Sequence, residues 1–210
     1  AKEMKERLNA ILGYNYWNLW VSTFHSACVR ILRMEIEKLG YGKNFVIYDT
    51  VDQLVVIKDC LKRLNIDDKQ FEPRSILSEI SKAKDKLLTP EEYAKEIIGD
   101  YRKEKISKVY DRYQRELKGN NALDFDDLIM KTVILFEQFP LVLEHYQDNF
   151  KYILVDEFQD TNMGQYRLVS QLSKKHQNLC VVGDDDQSIY GWRGADIRNI
   201  LGFENDFPKA

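Results

Sequence analysis

Tyr152-Ile153-Leu154-Val155-Asp156-Glu157-Phe158-Gln159-Asp160-Thr161-Asn162 is a continuous apolar run that ends abruptly in acids and an amide. The run lacks polar alternation, as expected for a strand in a parallel sheet covered by helices on both faces. A second run of this kind, Leu179-Cys180-Val181-Val182, follows a stretch of helical spacing from Asn162 to Lys174. The 25-residue step from Val155 to Cys180 suits one strand–helix–strand crossover. The chain therefore reads as α/β with a parallel sheet.

Working outward, Phe125 to Phe139 reads as a helix, and the pattern before it changes character. From Thr50 it is wholly helical, over Asp52 to Leu64, Pro73 to Leu88, Pro90 to Ile98 and Tyr101 to Leu117. Pro73 and Pro90 fall near first-turn positions, where a missing N–H does little harm. Earlier still, Asn18 to Thr23 is a short β-prone run followed by helical spacing from Phe24 to Leu39, which Gly40 and Gly42 break. Ala1 to Leu12 reads as an amphipathic helix with Met4, Leu8, Ile11 and Leu12 on one side, ended by Gly13. The expected organisation is a sheet domain in two parts, residues 1–44 and 122–210, interrupted by an all-helical insertion over 45–121.

The composition sets bounds. With 210 residues, 44% hydrophobic and 31% charged, the chain can bury a full core. It contains no run of about 18 apolar residues and no basic-then-apolar leader, so the expectation is a cytoplasmic protein with no membrane span. A net charge of -3 argues against coating DNA by bulk electrostatics. The segment from Lys58 to Lys118 is mildly basic, with 16 Lys and Arg against 13 Asp and Glu, a balance that a solvated helix surface explains equally well. Cys28, Cys60 and Cys180 are far apart and odd in number, so they read as small buried hydrophobes, not as a disulfide frame or a zinc site.

Three strings carry the chemistry. In an open α/β sheet, ligands sit beyond the carboxyl ends of the strands, where Asp156 and Glu157 fall. Magnesium bridging nucleotide phosphates takes one or two carboxylates and keeps several waters, a role that suits Asp156. Glu157, leaving the strand on another side, could align a water for attack on a γ-phosphate. An apolar run followed by Asp-Glu also fits a strand capped by a solvated turn. Gln159, Asp160, Thr161 and Asn162 form a polar cluster beyond what such a turn needs.

The second string runs from Gly183 to Asp196 as Gly-Asp-Asp-Asp-Gln-Ser-Ile-Tyr-Gly-Trp-Arg-Gly-Ala-Asp. Gln187 has both donor and acceptor atoms and could contact a γ-phosphate or its attacking water. Tyr190 and Trp192 could stack on bases while Arg193 holds a backbone phosphate. A core tryptophan is the plainer reading of Trp192, but an arginine beside it between Gly191 and Gly194 is poor core chemistry. Trp17 and Trp20 lack such surroundings and read as structural. The third string, Ser22-Thr23-Phe24-His25-Ser26, lies at a helix start, where hydroxyls, an imidazole and free N–H groups suit a nucleic-acid phosphate. Taken by itself, this string is better explained as a simple N-cap by Thr23 or Ser22.

Together these strings resemble the UvrD/PcrA/Rep-type superfamily 1A DNA helicases. Val155 to Asn162 resembles their motif II, Val182 to Asp196 their motif III, Ser22 to Ser26 their motif Ib, and Ala1 to Leu8 the tail of motif Ia. Leu123-Asp124-Phe125-Asp126-Asp127-Leu128-Ile129 is also typical of the family. The resemblance implies part of a RecA-like parallel-sheet P-loop NTPase domain, subdomain 1A, with the insertion as subdomain 1B. It implies ATP and Mg2+ as cofactors, with Asp156 and Glu157 near the metal, Glu157 activating water, and Gln187 coupling the γ-phosphate to DNA. Thr23, Phe24, His25, Tyr190, Trp192 and Arg193 would face DNA, and Lys82, Lys84 and Lys86 would lie near the strand or the duplex ahead of it. Single-stranded DNA and single-strand/duplex junctions would be the partners, with repair or replication proteins beside them.

The departure from the pattern is the missing Gly-x-x-x-x-Gly-Lys-Ser/Thr, whose backbone cradles the triphosphate. The expectation is that this loop lies upstream of Ala1 and a second RecA-like domain downstream of Ala210. On that expectation the chain is an inactive piece of an ATP-dependent 3′-to-5′ helicase acting in DNA repair or replication. A non-enzymatic DNA-binding module and the helicase part of a RecB- or AddA-like nuclease are the alternatives.

Overall fold

The computed structural model describes residues 2–13, 19–97, 99–187, 191, 195, 196, 198–203 and 207. Within them the chain is mixed α/β and helix-rich. Its strands form two small parallel sheets of two strands each. Helix α1 (Lys2–Leu12) opens the chain and α2 (Phe24–Glu35) follows, extended by a tighter turn over Ile36–Leu39. The apolar side of α1 is largely uncovered, with Met4 and Ile11 exposed.

The strand expected over Asn18 to Thr23 does not form in the described part, residues 19–23. A strand exists only through a ladder to a neighbour, and no described strand pairs with this stretch. Trp20 instead anchors it. The ring meets Phe150 edge-on at 4.9 Å, and the Arg30 guanidinium lies 3.9 Å above it, so Trp20 is structural as expected.

Strand β1 (Val46–Ile47) leads into four helices: α3 (Thr50–Arg63), α4 (Pro73–Asp85), α5 (Pro90–Glu96) and α6 (Tyr101–Gly119). The chain returns through β2 (Ala122–Leu123), parallel to β1, with Val46 opposite Ala122 and Ile47 opposite Leu123. Local chemistry sets the helix starts. Asp49 with Asp52 and Thr89 with Glu92 form capping boxes, Asp100 caps α6, and Pro73 and Pro90 occupy first-turn positions. Leu87, at φ 61, stops α4 earlier than periodicity alone suggests. Ile57, Leu61, Ile76, Ile80, Tyr110 and Tyr113 are buried in a core of this unit's own.

After β2 come α7 (Phe125–Gln138), α8 (Pro140–Asn149), β3 (Ile153–Val155), α9 (Met163–Ser173), β4 (Leu179–Val181) and the short α10 (Arg198–Leu201). α8 was not anticipated from the sequence, although Pro140 at its first turn is a start signal. A second core joins Ile31, Leu32 and Ile36 to Leu128, Val133 and Phe136, so α2 packs on α7. β3 and β4 pair in parallel with α9 as the crossover, Ile153 opposite Leu179 and Val155 opposite Val181. The expected covering of both strand faces is not found among the described residues. Val155 packs inward with Phe158 and Val169, but Leu154 is 77% exposed, and Tyr152 and Val182 are also open. Cys180 lies on this open face, so it is exposed while Cys28 and Cys60 are buried, contrary to the expectation for all three.

Lys84 corrects a second expectation. Its side chain has no solvent exposure and cannot reach a DNA phosphate. Its ammonium sits 2.6 Å from Asp124 Oδ2 and 3.0 Å from Asp127 Oδ1. Tyr113 donates its hydroxyl to Asp124 Oδ2, and the Gln114 amide donates to Asp127 Oδ1. Burial opposes the charge on Lys84, but the two carboxylates outweigh it and hold its pKa above the usual lysine value. Lys82 and Lys86 are exposed, and Lys82 pairs with Glu79. Among the described residues no helix is long and apolar enough to cross a membrane.

Candidate functional site

The site lies where β3 and β4 end side by side. Val182 N donates to Val155 O, and Phe158 N donates to Val182 O, so the two chain exits stay in register past the last strand residues. Asp156 and Glu157 leave β3 exposed to solvent. Glu157 adopts φ 54 and ψ 43, a left-handed conformation that costs a non-glycine residue on the order of 1–3 kcal/mol. Its surroundings hold it there. Asp156 Oδ1 accepts from Glu157 N at 3.1 Å, and the Gln159 amide donates to Glu157 Oε2 at 2.8 Å.

Gln159 is wholly buried and works in both directions. While its Nε2 holds Glu157, its Oε1 accepts from Asp184 N at 3.0 Å, across from the other strand. Asp184 continues the line. Its Oδ1 accepts from Asp186 N, and its Oδ2 accepts from Gln187 Nε2 at 2.6 Å. Glu157 and Gln187 are therefore joined through Gln159 and Asp184. Gly183 makes the close approach possible, since a Cβ there would lie 2.5 Å from Gln159 Oε1 and 2.8 Å from Ile200 Cδ1. The relay roles of Gln159 and Asp184 went unread in the sequence. A glycine directly after an apolar run is the signal that could have found them, because it marks a strand end approached closely by another group.

The donor set fits a hard cation. Among the described residues nothing bonds to Asp156 Oδ2 or to Glu157 Oε1, and both belong to exposed residues. No group of three or more His, Cys, Asp or Glu among the described residues could hold a metal ion. This chain can thus offer one or two carboxylates, the number magnesium takes when phosphates and waters complete its shell. Asp160 is a third acid nearby. Its Oδ1 is shut off from solvent without a hydrogen-bond partner, and burial, then the charge of Glu157, push its pKa above the ordinary carboxylate range.

Behind the site, Thr161 Oγ1 bonds to Phe158 O, and Asn199 donates to Thr161 O at 2.9 Å, which pins α10 to the exit of β3. Phe24 packs against both the α2/α7 core and the Val155–Phe158 core. The start of α2 therefore adjoins the site. Thr23 caps that helix, its Oγ1 accepting from Ser26 N at 3.3 Å while bonding to the Ser26 hydroxyl. His25 is half-buried, edge-on to Phe125 at 6.0 Å, and burial lowers its pKa. Tyr190, Trp192 and Arg193 lie outside the described residues, as does Trp17.

Residues 1–208 match the UvrD/REP helicase N-terminal domain family. The chain belongs to this family. It is 59% identical over all 210 of its residues to a protein of Bacillus subtilis (strain 168) named ATP-dependent DNA helicase PcrA, of which it covers 28%. It is 57% identical over the same residues to the protein of that name from Staphylococcus aureus (strain Mu50 / ATCC 700699), and 56% identical to that of Staphylococcus epidermidis, covering 29% of each. The chain thus spans less than a third of the length of the curated relatives it matches. Within the UvrD/REP domain, Glu157 after β3 and the Gln187 amide after β4 are tied together through buried Gln159 and Asp184.

Proposed function

We propose that this chain is the part of an ATP-dependent DNA helicase that joins the nucleotide site to the DNA track. The observation that carries the reading is the hydrogen-bonded line Glu157–Gln159–Asp184–Gln187, which links the ends of two parallel strands. The names of the relatives support the same reading. On it, β3, α9 and β4 belong to a RecA-like subdomain 1A over residues 1–44 and 122–210, and the helices over 45–121 are subdomain 1B.

Asp156 would hold magnesium, with Glu157 beside it, and the ion would neutralise charge on the ATP phosphates. Glu157 takes the proton of the attacking water. The left-handed backbone and the Gln159 amide fix its carboxylate for that task, so little reorganisation is left for the reacting state. Gln187, bonded to Asp184, carries the state of the γ-phosphate toward the segment containing Tyr190, Trp192 and Arg193. Trp192 and Tyr190 stack on bases of single-stranded DNA and Arg193 holds its backbone, while Thr23, Phe24 and His25 lie along the same strand. The whole protein moves 3′ to 5′ on single strands and opens duplex at junctions in the cytoplasm, in repair or replication. The 210-residue chain alone does not turn over ATP.

The test uses a protein of the relatives' full length that contains this chain. DNA-stimulated ATP hydrolysis is expected in the wild type, with loss by at least about a hundredfold in Glu157→Gln. Trp192→Ala is expected to weaken single-strand binding by about 1–3 kcal/mol. Full hydrolysis in Glu157→Gln, or no DNA stimulation in the wild type, would sink the reading.

A further inference from the structure

We infer that Gln159 is a positioning residue for the hydrolytic step, setting the Glu157 carboxylate in place from the neighbouring strand end. The inference rests on the reading of Glu157 as the base. The amide is 0% exposed, so no water substitutes for either of its bonds, and each of its polar atoms has one strand-end partner. An amide is the fitting side chain here, because it donates to a carboxylate and accepts from a backbone N–H at once. An aliphatic side chain keeps neither.

The juxtaposition also makes Gln159 the one link through which Asp184 reaches Glu157 among the described residues. Gly183 leaves the room that the amide fills, since Gln159 Oε1 and Gln159 N both crowd the place a Cβ there would occupy. Movement of the Asp184–Gln187 segment therefore pulls on Gln159, and through it on the group that faces the attacking water. Gln159 itself does not touch substrate.

The experiment is steady-state DNA-stimulated ATP hydrolysis by the full-length protein carrying Gln159→Met, similar in length and uncharged. At neutral pH kcat is expected to fall about tenfold or more, with KM for ATP changed less than about threefold. Gln159→Leu is expected to show the same split between kcat and KM, and it serves if the methionine variant does not fold. A Gln159→Met enzyme with a wild-type melting temperature and wild-type kcat overturns the inference, as does a Gln159→Leu enzyme with wild-type kcat. If Glu157→Gln is inactive while those variants behave as wild type, only the role of Gln159 fails. If Glu157→Gln retains full turnover, the underlying reading fails with it.

Discussion

Asn162 Nδ2 donates to Asp85 Oδ1 across 2.6 Å, tying the last residue of α4 to the N-cap of α9. The bond joins the helices between β1 and β2 to the chain just beyond Asp156 and Glu157. Asp85 is half-buried, and burial, then the nearby charge of Asp126, push its pKa up to about 7, while the Asn162 amide works the other way. The folded protein thus keeps a proton on Asp85 that the unfolded chain releases between about pH 4 and 7. By linkage, the stability this carboxyl contributes is full below about pH 4, declines as pH rises through that window and is lost above about pH 7. Asp85→Asn keeps an acceptor for Asn162 and removes the titration. The variant should be more stable than the wild type toward urea at pH 8, by on the order of 1–2 kcal/mol once solvent screening is counted, and the difference should close as pH falls to about 4. Parallel pH curves for the two proteins would refute this assignment.

Lys84→Met tests the buried ion pair. Removing the ammonium leaves Asp124 and Asp127 facing each other without solvent, since both are essentially unexposed. A loss of about 3–5 kcal/mol in chemical denaturation is expected. Adding Asp124→Asn and Asp127→Asn should recover much of it, because the uncompensated charge, not the lost contact, carries the cost. A single variant within about 1 kcal/mol of the wild type would show that water or rearrangement reaches the cluster.

Gly183→Ala places a methyl against the buried Gln159 amide and against Ile200. Overpacking of this kind costs about 1–3 kcal/mol. Gly119→Ala is the control, because nothing lies within 4 Å of a Cβ there and its backbone is helical. That change should be neutral or stabilising by up to about 1 kcal/mol. Thermal unfolding of the two variants side by side separates crowding from a general effect of removing glycine.

Thr23 has a capping role visible in the structure and a DNA role proposed for it, and one pair of substitutions separates them. Thr23→Ala should cost about 1 kcal/mol of stability through the lost cap on α2. Thr23→Asp restores an acceptor for Ser26 N, so stability should return, while a negative charge now faces any phosphate at that helix start. In the full-length protein its single-strand affinity should fall and its salt dependence flatten. Unchanged binding in Thr23→Asp would leave Thr23 as a cap alone.

Helices were legible where their signals are local. Pro73 and Pro90 mark the starts of α4 and α5, and the 25-residue spacing placed β3, α9 and β4 in order. The rest depended on partners distant in sequence. The run at Trp20 has strand propensity but no described strand to pair with, and Leu154 is apolar on a face that no described element covers. Lys84 looks like one more surface lysine until the acids 40 and more residues away close on it. At the site, Asp156, Glu157 and Gln187 could be picked out from residue type at a strand end. The bond from Gln159 to Asp184 spans 25 residues and has no periodicity to announce it.

β1 and β2 run parallel, and this restricts how the chain could ever be shortened. Antiparallel ends can be sewn together by a two-residue turn, so an excursion between them is readily trimmed away. Parallel ends need a crossover of about a dozen residues or more, so some return path must replace whatever is cut. Deleting the helices would also take away the lysine that neutralises Asp124 and Asp127. The helices between β1 and β2 are therefore not an interchangeable cassette: a minimal version of this chain would need a new overpass and the simultaneous loss of two acids at the start of α7.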